Sequence, residues 1–351
     1  MDLKERIYKA LENVNDPEIH KSLVELEMVG DIIIEGTKVI VNVTLTTAGC
    51  PLKSTIRNDV IKEVMKVDGV EEVDVVFGEM SKEQKEKLIQ KLRGRKDKLE
   101  TFKDVRVIAI GSGKGGVGKS TVTANLAVMM ARLGARVGLI DADILGYSIS
   151  KIMGISYSKP MVMEGGLLLP IQKEGVKVIS MGNLVEKDDA FILRGPMLGR
   201  VLNQFLYDVY WGDLDYLLID LPPGTGDVPL TLMQMLEKVE IVIVTTPQVT
   251  AAGVAKRLGL MASKTNTRVI GVIENMSYFI CDNCGERHYI FGKGEGRKLS
   301  EELNVGLMGE IPLIGQTGEQ GDRDVTMVGN NDSQLGMIYR DIAQKIMTLI
   351  N

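Results

Sequence analysis

Hydrophobic positions along this chain fall into two rhythms that divide it near residue 100. In the first stretch Leu3, Ile7, Leu11 and Val14 recur at helical spacing until Asp16-Pro17 ends the stripe. Met28 to Ile34 and Val39 to Leu45 read as paired strands with Gly36 in the turn. Leu52 to Val67 predicts a helix with Ile56, Val60, Ile61 and Val64 on one face, and Val70 to Phe77 a closing strand. Residues 1–80 are thus expected to form a small α+β domain. Ser81 to Glu100 carries eight Lys/Arg against four Asp/Glu, which reads as a solvated helical linker (81–103) and not as a nucleic-acid patch.

From Asp104 to the end (104–351) short apolar runs alternate with helical patterns. Strands are predicted at Val105–Ile110, Val137–Ile140, Val176–Ser180, Tyr216–Ile219, Ile241–Thr245 and Val269–Ile273. Such alternation specifies an α/β domain with a mostly parallel sheet, whose ligands bind at the carboxyl ends of the strands. Leu335, Ile338, Ile342, Ile346 and Leu349 mark an amphipathic C-terminal helix. Only Arg340 and Lys345 stand against Asp341 there, too few cations for a membrane-surface helix, so docking onto the sheet is expected.

Composition narrows the class. At 351 residues, 44% hydrophobic and 25% charged, the chain suits a soluble two-domain protein. A net charge of −5 gives no global attraction to nucleic acid or to anionic membrane. No run approaches the ~20 apolar residues of a membrane span, and Met-Asp-Leu-Lys-Glu opens no signal peptide, so a cytoplasmic location is expected. The 19 methionines read as core filler, and two histidines leave little room for histidine-centred acid–base catalysis. Three cysteines, Cys50, Cys281 and Cys284, are too few for a disulfide framework and point to metal binding or reactivity.

The sharpest chemical signal is Gly111-Ser-Gly-Lys-Gly-Gly-Val-Gly-Lys-Ser-Thr121. From Gly113 to Ser120 it satisfies the phosphate-loop pattern, placed between a predicted strand and a predicted helix. Gly113, Gly115, Gly116, Val117 and Gly118 turn backbone amides toward phosphate oxygens at the start of a helix that opens with Thr121. Lys119 supplies the point charge, and the Ser120 hydroxyl can ligate Mg²⁺. Lys114 has no role in a minimal loop, and a cation at that loop tip can reach a phosphate of a neighbouring subunit. Two predicted strands run into carboxylates, Asp141-Ala-Asp143 and Asp220-Leu-Pro-Pro-Gly-Thr-Gly-Asp227. Asp220 suits the waters of a magnesium ion, and Asp143 suits positioning of an attacking water. Together they specify an ATP or GTP hydrolase.

A second signal is Cys281-Asp-Asn-Cys284-Gly-Glu-Arg-His288. Two thiolates close half of a tetrahedral site. The spacing argues against His288 as a third ligand, since the pair resembles one knuckle of a zinc ribbon. A two-fold dimer would supply Cys281 and Cys284 twice, giving four thiolates for a [4Fe–4S] cluster or for Zn²⁺. A redox dithiol and a structural zinc half-site stay open as readings. Cys50, in Thr46-Thr-Ala-Gly-Cys-Pro-Leu52, is either a reactive thiol at a helix start or a small buried hydrophobe.

These segments, with Arg194-Gly-Pro-Met, Thr246-Pro-Gln and Glu274-Asn-Met-Ser-Tyr-Phe, resemble the Mrp/ApbC iron–sulfur cluster carrier ATPases from Asp104 to about Asp322. Residues 1–80, with Asp16-Pro-Glu and Thr-Ala-Gly-Cys-Pro-Leu, resemble the SufT-like domain often fused ahead of that ATPase. The resemblance implies a deviant Walker A P-loop ATPase that acts as a homodimer. Lys114 would cross to the partner's ATP, Lys119 would serve as the ordinary loop lysine, Asn275 would approach the adenine, and Cys281 and Cys284 would bridge a cluster. Ile144-Leu-Gly-Tyr-Ser148 departs from the family's Tyr-Gly-Pro-Ser-like turn, and Gly253 stands where an Asp is common. The function expected is transfer of iron–sulfur clusters to apoproteins, with scaffold proteins as further partners, modulated by slow ATP hydrolysis. The alternatives are a ParA/MinD-like positioning or partitioning ATPase and an ATP-dependent regulatory protein with structural zinc.

Overall fold

The computed structural model describes residues 2–46, 52–93, 102–144, 146–163, 165–184, 195–236, 238–281, 283–313 and 333–350. The expectations placed on Cys50 and Arg194 lie outside these residues. The chain divides into two compact units, Met1–Arg95 with Val162–Leu169, and Lys96–Met161 with Pro170–Asn351.

In the first unit the helix Leu3–Leu11 begins at a capping box, in which Asp2 and Glu5 each accept the other's backbone N–H. Strand Val29–Glu35 pairs antiparallel with Lys38–Leu45 around Gly36, and Lys38–Leu45 pairs parallel with Glu72–Glu79. Val39, Val41, Val43 and Leu45 alternate inward, as a half-buried strand requires. Ile56, Val60 and Val64 of helix Lys53–Val64 are buried. The charged segment contains helix Lys82–Arg93, whose Leu88, Ile89 and Leu92 are buried, so its basic residues cover one face only.

The second unit is built on an eight-stranded sheet in the order Gly306–Glu310, Arg268–Glu274, Val239–Thr245, Arg106–Ser112, Tyr216–Asp220, Val137–Asp141, Val176–Ser180, Ile171–Lys173. Every neighbouring pair is parallel except the last, an antiparallel hairpin. All six expected strands are present. The two additional ones sit at the edges, where Ile171–Lys173 is short and Gly306–Glu310 carries glycines that blur the apolar pattern. Arg106–Ser112 lies centrally, and successive strands are laid down on either side of it. Its carboxyl end is therefore a topological switch point, where α/β sheets open a crevice for ligands.

Helix Lys119–Arg132 follows that strand and is buried at Lys119 and throughout Val122 to Met130. An apolar helix of this kind has to be covered on both sides. Part of its cover is the C-terminal helix Gln334–Ile350, whose Leu335, Tyr339, Ile342, Ala343, Ile346 and Ile350 join the same core. Of the expected stripe, Leu335, Ile342 and Ile346 dock inward and Ile338 is partly buried, whereas Leu349 is exposed and Tyr339, Ala343 and Ile350 take the remaining inward places.

Close approach fixes the loop between the central strand and its helix. A Cβ at Gly113 would stand 2.2 Å from the backbone N of Ala255, whereas one at Gly115 would meet nothing within 4 Å. Gly113→Ala should therefore destabilise the ligand-free protein by about 3 kcal/mol, while Gly115→Ala stays within about 0.5 kcal/mol of wild type. Urea unfolding of both variants checks this, and equal midpoints would contradict it.

Candidate functional site

The centre of the site is Asp220, the last residue of its strand and fully buried. Its Oδ2 accepts from Lys119 Nζ at 2.7 Å and from Ser120 Oγ at 2.6 Å, and its Oδ1 accepts from Thr123 Oγ1 at 2.7 Å. Lys119, Ser120 and Thr123 come from the first turns of one helix, so a single helix start supplies three donors to one carboxylate. Charge-assisted bonds of this kind are what allow a carboxylate to remain buried. The Ser120 hydroxyl and the Asp220 carboxylate are placed together as a magnesium site needs them.

The loop itself fits phosphate. Gly116 and Gly118 have φ of +81° and +78°, a region that glycine enters without cost. Gly115 and Gly116 are exposed, and a Cβ on either would meet nothing within 4 Å, so oxygens can approach the backbone there. Gly118 has no such room, because its Cβ would stand 2.3 Å from Asn275 Nδ2. Lys114 is half-buried, and its Nζ donates to Gln248 Oε1 at 2.8 Å within the same chain. Gln248 stands just before helix Val249–Lys264 and was not a sequence candidate.

Two further carboxylates flank Asp220. Asp141 Oδ2 accepts from Ser180 Oγ at 2.9 Å and from the backbone of Ser148 and Ile149, each at 3.2 Å. Burial first, and the Asp220 charge second, push its pKa up to about 7. Among the described residues its Oδ1 and Thr246 Oγ1 are buried without a hydrogen-bond partner. Asp143 accepts from Gly146 N at 3.1 Å, and burial raises its pKa against the pull of Lys119. That leaves Asp143 beside the loop with one carboxylate oxygen bonded to its own turn.

Asn275 is buried, and its Nδ2 donates to Val117 O at 2.9 Å, inside the loop. This bond ties Asn275 to the loop backbone. Glu274, just before it, is fully buried and accepts from Ser277 Oγ and Gly296 N, both at 2.6 Å. In the sequence it stood only within the Glu274-Asn-Met-Ser-Tyr-Phe segment and was given no role, although an acidic residue ending an apolar strand is the same signal that marked Asp141 and Asp220. Met276, which follows Asn275, has φ +54°. The chain then enters a hairpin in which Phe279 pairs with His288 and Ile280 with Arg287. Cys281, half-buried, and Cys284, exposed, lie in its turn. The ligand atoms of Cys281, Cys284 and His288 all lie within 4.8 Å of one another. Here the structure corrects the spacing argument against His288: strand pairing folds it back beside the thiols.

The raised Asp141 pKa has a definite sign. Between about pH 4 and pH 7 the folded protein keeps a proton on Asp141 that the unfolded chain has released. Stability from this group therefore falls as pH rises through that window and is level above it. Urea titrations without nucleotide should show that slope reduced in Asp141→Asn, and identical slopes in both proteins would contradict it.

Comparison with known proteins follows the same division. Residues 104–347 match the family model described as NUBPL iron-transfer P-loop NTPase, and residues 4–75 match one described as iron-sulfur cluster assembly protein. The chain is 44% identical over 345 residues to an iron-sulfur cluster carrier protein of Bacillus subtilis, covering 98% of this chain and 97% of that one. It is 46% identical over 348 residues to a protein of the same description from Mycobacterium leprae, covering 95% and 90%. Among solved structures it is similar to a nucleotide-binding protein in complex with ADP from Archaeoglobus fulgidus, with TM-score 0.55 and 40% identity over 71% of this chain and 91% of that one. The cell division ATPase MinD of Pyrococcus furiosus, 24% identical with TM-score 0.50 over 70% and 99%, shares the fold. By the span of the first match and by near full-length identity to both relatives, the chain belongs to the NUBPL iron-transfer P-loop NTPase family.

Proposed function

We propose that this protein carries an iron–sulfur cluster, as cargo for apoproteins, between the Cys281 and Cys284 thiolates of two chains, and that ATP binding and hydrolysis at the phosphate loop govern the pairing. The observation that carries the proposal is the continuity of the two sites. Asn275 bonds the phosphate loop at Val117, and the chain leaving Asn275 runs straight into the thiol hairpin. Near full-length likeness to cluster carrier proteins supports the same reading.

Each residue then has a role. Gly113 to Gly118 cradle phosphate oxygens, Thr121 lies in the first turn of the helix behind them, and Lys119 turns from Asp220 toward the phosphate. Ser120 would hold Mg²⁺ through its hydroxyl, with the Asp220 carboxylate beside it. Asp143 positions the water for hydrolysis. Lys114 exchanges Gln248 for the partner chain's nucleotide when two chains pair. When bound, magnesium ATP supplies the free energy of phosphoanhydride cleavage. Four thiolates from two chains suit a [4Fe–4S] cluster. Cluster scaffold proteins are the expected donors, and the cytoplasm is the expected compartment. Among the described residues no helix is long and apolar enough to cross a membrane.

The positioning-ATPase reading has the fold in common but makes no use of the thiols, and its C-terminal helix would need a face that is here buried in the core.

Anaerobic reconstitution followed by iron and sulfide analysis should give about four of each per two chains, and close to none in Cys281→Ala/Cys284→Ala. An unchanged load in that variant would overturn the assignment. Lys119→Ala should abolish ATP binding. Lys114→Ala should bind ATP but lose turnover, by about a thousand-fold if it acts as an arginine finger does. Retained turnover in Lys114→Ala would remove its role across the dimer.

A further inference from the structure

The strand pairing at the thiol hairpin places a third donor where the sequence spacing argued against one. In a two-stranded ladder, opposed residues and their diagonal neighbours share a face. Phe279 is opposite His288, and Cys281 N donates to Glu286 O at 3.0 Å, so Cys281 and His288 stand diagonally on one face. Gly285, with φ +73°, closes the turn, and its N–H donates to Cys281 O at 2.8 Å, which brings Cys284 back over Cys281. The result is two sulfur atoms and an imidazole nitrogen mutually within 4.8 Å, on a hairpin open to solvent.

We infer that His288 is a metal ligand, so that one chain alone holds a single divalent ion of the zinc class through Cys281, Cys284 and His288, with one position left open. The inference rests on the reading that the two cysteines are metal ligands. Two thiolates and a neutral imidazole balance the charge of a divalent ion, and binding releases the thiol protons to solvent. Borderline-soft ions with tetrahedral preference suit this donor set, which excludes magnesium and calcium. The state is distinct from a cluster shared between chains, because it uses three donors of one chain and needs no partner. A thiolate engaged by the ion is unavailable to a cluster, so the two forms of loading exclude each other.

Anaerobic titration of the full-length apo chain with Co²⁺ tests the inference. Wild type should bind one ion per chain, with tetrahedral d–d bands and sulfur charge-transfer absorption that vanish in Cys281→Ser/Cys284→Ser. His288→Ala should weaken binding at least about ten- to a hundred-fold and change the d–d envelope, and His288→Cys should restore affinity. Unchanged affinity and spectrum in His288→Ala, or one ion per two chains in wild type, would overturn it. ATP binding by each variant confirms that the remainder of the chain is folded. Cluster loading separates this test from the carrier reading. If His288→Ala leaves Co²⁺ binding unchanged while the cysteine variant loses iron and sulfide, only the His288 assignment falls. If the cysteine variant keeps iron and sulfide, the carrier reading falls with it.

Discussion

A buried charge has to be neutralised where it stands, and Asp220 is a carboxylate with no solvent exposure. Lys119, Ser120 and Thr123 meet that demand from one helix start, which fixes the helix against the end of the Tyr216–Asp220 strand. The same bonds hold the phosphate-binding lysine in place before any phosphate arrives. On the proposed reading an incoming phosphate would compete with Asp220 for Lys119, and a magnesium ion held by Ser120 would compensate the carboxylate. Asp141 bears the cost of this arrangement. Buried next to a second carboxylate, it retains its proton to about pH 7 despite three hydrogen bonds to its Oδ2.

The corner after the Arg268–Glu274 strand is the second organising feature. Glu274 ties Ser277 to the start of helix Glu295–Glu302, Asn275 ties Val117, and Ser277 N donates to Ile311 O at 2.9 Å. The phosphate loop and the base of the thiol hairpin are thus anchored to one short segment. On the proposed reading, nucleotide that shifts the loop would act on that segment directly.

Local patterns made much of this legible. The six long strands, the loop that follows Arg106–Ser112 and the strand-ending aspartates are written in contiguous residues, and the sheet confirms the strands within a few positions. What escaped depends on residues distant in sequence. The bond from Lys114 to Gln248, and Asn275 reaching Val117, exist only once Val239–Thr245 lies beside the loop strand and Arg268–Glu274 lies beside Val239–Thr245. The closeness of His288 to the thiols was missed because linear spacing ignores the ladder that returns it to them. Gly306–Glu310 was missed because its glycines remove the periodic signal and its burial comes from neighbours such as Ile342.

On the proposed reading, two copies of this chain act together on nucleotide and cargo. Native mass spectrometry of the reconstituted protein, kept free of oxygen, tests it most directly. The account predicts a species of two chains and one four-iron, four-sulfide cluster that reverts to single chains when the cluster is removed by chelation. A cluster carried intact on a single chain, or a dimer whose mass is indifferent to the loss of iron, would contradict it.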